Sequence, residues 1–392
     1  MKALNPPRRL LYGPGPSQVA PRVYEAMAKP IVGHLDAFFF EVCSEIRAGL
    51  QAAYGTANPF TLAISATGSG GMETAVANFV EPGSKFVVFA NGFFCDRLAE
   101  MGKRHGATVV RCEKPWGETF TDEEAREVIL REKPNTIAFV HAETSAGALN
   151  KGYAICAAAR EVGALVIADC VTSLGAMPIN IDEMGVDVAY SCSQKGMSCP
   201  PGLSPMTVSP RALEWLKNRK SQKSTWYFDL ALLADYFEGA RRYHHTAPIT
   251  SFYALYEALQ AIEEEGLQNR FDRHHRNHLA FVAGVEAMGL TMHVAEGHRL
   301  WTLNTPRVPE GIDDLKVRQR LMAQHGIEIA GGFGPLAGKV FRIGLMGVLS
   351  TEADVLFLLE AFQAALEAEG FVSKGNGVEA ARAVYAEAAV AA

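Results

Sequence analysis

Short, continuous apolar runs recur along the first half of the chain, and helix-like stretches with apolar residues at every third or fourth position separate them. The runs are "TLAIS" (61–65), "KFVVFAN" (85–91), "TVVRC" (108–112), "NTIAFVHAE" (135–143), "ALVIAD" (164–169), "VAYSC" (188–192) and "SPMTVS" (204–209). Between them "GMETAVANFV", "CDRLAEMGKRHG", "DEEAREVILREK" and "YAICAAAREVG" read as helices. A strand with one wet face alternates polar and apolar residues, and these do not. The pattern therefore predicts an α/β architecture: a mainly parallel sheet buried under helices on both faces, spanning about residues 21–253.

From about residue 254 the texture changes. One long helical segment, "LYEALQAIEEEGLQNRFDRHHRNHLAFVAGVEAMG", leads to shorter strand-like pieces, "LWTLNT", "IEIAGG" and "KVFRIGL", and then to a helix in "TEADVLFLLEAFQAALEAEG". This predicts a smaller α+β domain over 254–370. The Ala-rich tail 371–392 is expected to be helical at most, and mobile.

In open α/β sheets, ligands sit beyond the carboxyl ends of the strands. After "TLAIS" comes "ATGSGGMET", in which Thr67, Gly68 and Ser69 open a helix and can cradle a phosphate with amide N–H groups and hydroxyls. The turn matches neither GxxxxGKS nor GxGxxG, and by itself it reads equally as a tight strand–helix connection. After "KFVVFA" stand Phe93 and Phe94, one of which can stack on a flat ring or simply fill the core. After "NTIAFVHAE" come the hydroxyls of Thr144 and Ser145, possible helix caps. "ALVIAD" closes on Asp169, an acid that needs a cation or a donor if buried, and that reads otherwise as a helix N-cap. After "VAYSC" comes Lys195, boxed by small residues and a Pro-Pro-Gly turn, with a salt bridge as its plainer role.

One chemistry unites these strand ends. A phosphate cradle, an aromatic plate, a buried carboxylate and a lysine are what pyridoxal 5'-phosphate requires. The lysine forms a Schiff base, and the carboxylate pairs with the protonated pyridine nitrogen. Such a charge-assisted bond contributes about 1.5–3 kcal/mol. Burial lowers the lysine's pKa and lets it act as nucleophile and proton carrier. Further along, Arg342 lies inside the apolar run "GKVFRIGL", where it reads as a carboxylate anchor or a structural ion pair.

Composition removes other classes. With 37 basic and 43 acidic residues among 392, the net charge of −6 offers no field suited to nucleic acid. Seven scattered cysteines form no CxxC pair, so neither a disulfide framework nor a zinc site is predicted. No apolar leader region and no 18-residue apolar run is present, which leaves a cytoplasmic, membrane-free protein as the expectation. His274 and His278 stand four apart with no third ligand in view. They and the charged stretch "EEEGLQNRFDRHHR" are expected to form a solvated helix face, with no metal.

In "GPGPS", "TGSGGMETAVANFVEPG", "NGFFCDR", "HAETSAG", "ADCVTSLGA", "YSCSQK", "RRYHHTAP" and "GKVFRIGLMG", the chain resembles the class V aminotransferases of PLP fold type I, in particular the alanine–glyoxylate and serine–glyoxylate (serine–pyruvate) group. The resemblance runs from about residue 10 to 370. It implies that Lys195 is the Schiff-base lysine and Asp169 the partner of the pyridine nitrogen. It further implies that Val171 packs on one ring face and Phe94 stacks where animal members carry tryptophan. Thr144 would bond the O3′ side, and Thr67, Gly68, Ser69 and Gln194 would hold the phosphate, with Ser69 standing where those members have histidine. Tyr243 and Thr246 would reach the phosphate from a second subunit, so a homodimer is implied. Arg342 would bind the substrate carboxylate, with Gly15 in an N-terminal segment (1–20) lining the pocket. The implied reaction is ping-pong transamination from a small amino acid, alanine or serine, to glyoxylate.

Rivals differ in named features. A desulfurase or lyase of this fold would carry histidine before the lysine and a mobile-loop cysteine. Here the residue is Gln194, and residues 320–338 contain no cysteine. Transaminases of aminophosphonates, or of pyridoxamine with pyruvate, would differ mainly in pocket residues. A non-catalytic scaffold would need none of Lys195, Asp169 and Arg342.

Overall fold

The computed structural model describes residues 1–237 and 239–391. The apolar runs become a seven-stranded sheet: β1 Phe60–Ile64, β2 Lys85–Ala90, β3 Thr108–Glu113, β4 Thr136–Val140, β5 Leu165–Asp169, β6 Val188–Tyr190 and β7 Ser204–Val208. They lie in the order β1-β7-β6-β5-β4-β2-β3. From β3 to β6 every neighbouring pair is parallel, while β7 runs antiparallel to both β6 and β1. The sheet is thus mixed and mostly parallel. The reversal at β7 has a local cause: the connection from β6 is a short loop around Pro200 and Pro201 with no crossover helix, and only an antiparallel return can be joined that way.

Helices Gly68–Phe79, Phe93–Arg104, Asp122–Glu132 and Tyr153–Val162 follow β1 to β4 as the periodicity predicts. Asp122–Glu132 opens on a capping box between Thr121 and Glu124. One large core gathers under the sheet around Phe86, Val88, Phe139 and Ile167, and a second joins Phe281, Phe341, Ile343, Leu358 and Phe362. Each such side chain, withdrawn from water, contributes about 1.5–3 kcal/mol. No described helix is long and apolar enough to cross a membrane.

The C-terminal half departs from expectation in three ways. The single long helix is two, Ile249–Glu265 and Leu267–Ala287, parted at Gly266. The tail is docked: helix Gly377–Ala391 buries Ala381 and sends the Tyr385 hydroxyl to Asn277 Oδ1 at 2.7 Å. Its fit depends on glycine, since a Cβ on Gly377 would come within 3.0 Å of the Gly284 carbonyl oxygen.

The third departure is the stretch expected to be solvated. Arg270 is 4% exposed and His274 0%, with His278 buried beside them. Arg270 donates to the carbonyls of Gly175 and Gly196 at 2.6 Å each and pairs with Glu265, which also binds Arg273. His274 Nδ1 lies 2.7 Å from the Arg270 carbonyl, and its Nε2 accepts from Gly347 N at 3.0 Å. Burial pushes its pKa down to about 3, so the ring is neutral. His278 bonds Asn304 Oδ1 at 2.7 Å. Charged residues at helical spacing look solvated in sequence, but here they form a brace that ties the Gly175 loop, the Lys195 loop and the Gly347–Ser350 turn together. Arg270→Ala is therefore expected to destabilise the protein by about 3–5 kcal/mol in urea unfolding, because it leaves buried acceptors without donors. A loss below about 1 kcal/mol would mean that the brace carries no load.

Candidate active site

The strand ends converge as the topology requires. Because β7 is antiparallel to both neighbours, β1 points the same way as β2, β4, β5 and β6, and the residues leaving these strands meet at one edge. A cavity of about 220 Å³ lies there, lined by Thr67, Gly68, Ser69, Phe94, Asp169, Val171, Gln194 and Lys195, all singled out from sequence, and also by Met72, Arg97 and Cys192.

Asp169 closes β5 and is 1% exposed. Its carboxylate accepts from Val171 N at 2.9 Å and from the Tyr190 hydroxyl at 2.8 Å. Two donors do not offset burial, which raises its pKa to about 7. It is not a helix cap: no helix N-terminus is among its partners.

Lys195 lies under the N-terminal segment. Its Nζ donates to the Pro14 carbonyl. Ser17 sends its amide to the Gln194 carbonyl at 2.8 Å and its hydroxyl to the Lys195 carbonyl at 2.7 Å. Gly15 has φ +120°, and a Cβ there would overlap Nζ, so only glycine fits. Burial pushes the Lys195 pKa down, and the nearby Arg342 guanidinium pushes the same way against Cys192 and Asp169. No carboxylate forms an ion pair with Lys195 among the described residues, so the plainer salt-bridge role falls away.

Thr67 stands at the N-cap of the helix Gly68–Phe79 without a side-chain capping bond, and Thr67, Gly68 and Ser69 line the cavity where the helix starts. Ser69 Oγ accepts from Arg97 at 2.8 Å. Gly68 allows a close approach, since a Cβ there would stand 3.0 Å from Cys192 Cβ. Gln194 Oε1 is buried and has no hydrogen-bond partner, and turning the amide over presents an N–H donor at the same place, as an anion requires. Thr144 is buried 2.8 Å from the Thr172 hydroxyl and does not line the cavity. Tyr243, 63% exposed, and Thr246 also lie outside it.

Sequence reasoning missed Glu143, Arg97 and Tyr190. Glu143 is fully buried at the end of β4's extension and takes the place of a cap for the helix Phe93–Arg104. It accepts from Phe94 N at 3.2 Å and from Ser145 Oγ at 2.6 Å, while Ser145 Oγ accepts from Phe93 N at 3.0 Å. Burial raises its pKa. The rule that marked Asp169, an acid leaving an apolar strand, marks Glu143 as well. Arg97 follows four residues after Phe93, its guanidinium carbon 5.1 Å from the Phe94 ring centre.

Arg342 sits in the strand Phe341–Gly344, its Nε donating to the Gly331 carbonyl at 2.8 Å. Burial lowers its pKa to about 10. It has no carboxylate partner among the described residues, which removes the structural ion pair as its role.

The residues fit a phosphorylated pyridine aldehyde: a helix start with hydroxyls beside it, an unpartnered Gln194 amide, an aromatic ring at Phe94, a dry carboxylate and a dry lysine. These define a pyridoxal-phosphate enzyme of fold type I. Comparisons with known proteins narrow the class. Residues 10–355 match the family described as "Aminotransferase class-V". The crystal structure of an alanine–glyoxylate aminotransferase from Nostoc sp. superposes with a TM-score of 0.92 at 46% identity, covering 93% of this chain and 97% of that one. That of a ureidoglycine–glyoxylate aminotransferase from Bacillus subtilis gives 0.95 at 36% identity, covering 98% and 100%. The alanine–glyoxylate aminotransferase of Callithrix jacchus is 38% identical over 94% of this chain and 90% of its own length. The chain belongs to the class V aminotransferases, and its cofactor is pyridoxal 5'-phosphate.

Proposed function

We propose that this aminotransferase moves an amino group from a small L-amino acid, alanine or serine, to glyoxylate, giving glycine and a 2-oxo acid. The observation that carries the reading is the crowding at Lys195, where Pro14 and Gly15 press on Nζ so closely that even a methyl group on Gly15 would overlap it. A pocket of that kind suits substrates with little or no side chain. The alanine–glyoxylate relatives support the same pair.

Bound pyridoxal phosphate supplies an aldehyde carbon that takes up the donor's amino group and a ring that delocalises the electrons left when the α-proton departs. Lys195 Nζ, dried and held below its ordinary pKa, would hold the aldehyde carbon as a neutral amine until the donor's amino group displaces it, and the freed amine would then carry the α-proton. Asp169 holds negative charge against the ring nitrogen, with Tyr190 and Val171 N fixing its orientation. Phe94 and Val171 would flank the ring, and Thr67, Gly68, Ser69 and Gln194 would hold the phosphate. Arg342 receives the carboxylate that donor and acceptor share, so one anchor serves both half-reactions. In a homodimer, Tyr243 and Thr246, exposed on the single chain, would complete the partner's phosphate site. The reading puts the enzyme in the cytoplasm.

(S)-Ureidoglycine as donor is a second reading, supported by the full-length likeness to the Bacillus subtilis enzyme. Single-turnover absorbance of the loaded protein mixed with alanine, serine, (S)-ureidoglycine or aspartate separates the two. Alanine or serine is expected to bleach the cofactor's visible band, and glyoxylate to restore it. Bleaching by ureidoglycine alone would install the second reading, and no bleaching by any would overturn both.

A further inference from the structure

Arg342 is held in an unusual setting. Its guanidinium carbon lies over the Phe333 ring, 4.4 Å from the ring centre. Its only hydrogen bond among the described residues runs from Nε to the Gly331 carbonyl, so both terminal nitrogens lack a protein acceptor. The neighbouring Arg318 is different, since Asp314 takes it in a 2.9 Å pair. A cation left unpaired while its neighbour is neutralised, with its plane set by a ring and its Nε tied, offers two parallel N–H bonds to a planar anion.

Phe333 is itself fixed. Its ring meets Phe93 edge-on at 5.0 Å and Trp116 at 5.6 Å, with interplanar angles of 84° and 79°. The turn around it is glycine-built: Gly334 has φ +56°, and a Cβ there would stand 3.0 Å from the Trp116 indole. Phe93 in turn meets Phe94, which lines the cofactor cavity, at 5.5 Å and 84°. An unbroken aromatic contact therefore links the cofactor plate to the arginine over more than two hundred positions of chain.

We infer that Phe333 is the positioning residue of the carboxylate site: its ring fixes the plane of Arg342 and thereby sets affinity for the carboxylate of both amino donor and 2-oxo acceptor. This rests on the reading of Arg342 given above. The ring touches no reacting atom, so its effect falls on binding and leaves the chemical step alone.

The test uses the pyridoxal-phosphate-loaded enzyme and the variants Phe333→Leu, Phe333→Tyr and Arg342→Gln. Measured are kcat and KM for alanine and glyoxylate, the inhibition constant of propionate, and the binding of ethylamine, which lacks a carboxylate. Phe333→Leu keeps apolar volume and loses the aromatic face. It is expected to weaken alanine, glyoxylate and propionate by about tenfold, with kcat within about twofold and ethylamine binding unchanged. Phe333→Tyr keeps the face and is expected to match the parent. An equal loss for ethylamine, a fall in kcat alone, or unchanged propionate binding in Phe333→Leu would overturn the inference. Arg342→Gln separates the two levels. If it too leaves propionate binding unchanged, the carboxylate reading of Arg342 fails; if it weakens binding while Phe333→Leu does not, only the role of Phe333 fails.

Discussion

Lys195→Ala is expected to lower transamination by about four orders of magnitude or more, because in the mechanism proposed above one nitrogen serves as nucleophile and as proton carrier. The loss should fall on chemistry and spare the fold. Lys195 makes one side-chain hydrogen bond, to the Pro14 carbonyl, and its neighbours Ser17 and Gln194 hold the loop through main-chain groups that the substitution leaves in place. Single-turnover rates with alanine, beside thermal unfolding of the same preparation, check both halves. Lys195→Arg should not rescue activity, since a guanidinium stays protonated and cannot take the α-proton. A Lys195→Ala rate within tenfold of the parent would remove this residue from the mechanism.

Asp169→Asn is the second large effect. An amide keeps the shape and loses the charge, and the removal of one preorganised electrostatic group of this kind costs about 10²–10³ in rate. The substitution also leaves a signature in the cofactor-free protein. Burial raises the folded-state pKa of Asp169 to about 7 from an ordinary 3.8, so the folded protein binds a proton that the unfolded chain has released. Between these values stability falls as pH rises. The advantage is full below about pH 4 and is lost through pH 7. The cofactor-free parent should therefore lose thermal midpoint relative to Asp169→Asn as pH is raised from 4.5 to 8. A cation bound beside the carboxylate lowers its pKa and removes the slope, so the loaded parent should be flatter. Parallel pH profiles of the two cofactor-free proteins would show that Asp169 ionises normally.

The features that were legible in the sequence share a cause. Strands of a doubly covered sheet are apolar throughout, so a polar residue at their ends stands out, as Asp169 and Lys195 did. Glu143 is legible by the same rule, since it closes the apolar run 135–143. The antiparallel β7 and the docked tail were not legible, since pairing direction depends on the connecting loop, and a mostly Ala helix docked by close approach and one buried tyrosine carries little apolar pattern. Least visible was the Glu265–Arg270–Arg273–His274 brace: periodicity reports which positions are polar, but it cannot report that polar groups satisfy one another out of water. Phe333 and Arg342 are nine residues apart, and their stacking needed the hairpin that pairs Ala330 with Arg342.

The seating of the N-terminal segment has a consequence for how the protein is made. Leu10–Leu11 runs parallel to Ile327–Glu328, and the Tyr12 carbonyl accepts from Gly344 N, so this segment is seated by residues made more than three hundred positions later in the chain. A chain that has finished all seven strands can lay Ser17 on the Gln194 and Lys195 carbonyls but still lacks the strand partner of Leu10–Leu11. The cover over Lys195 is therefore seated at both of its ends only once residues 327–344 are in place.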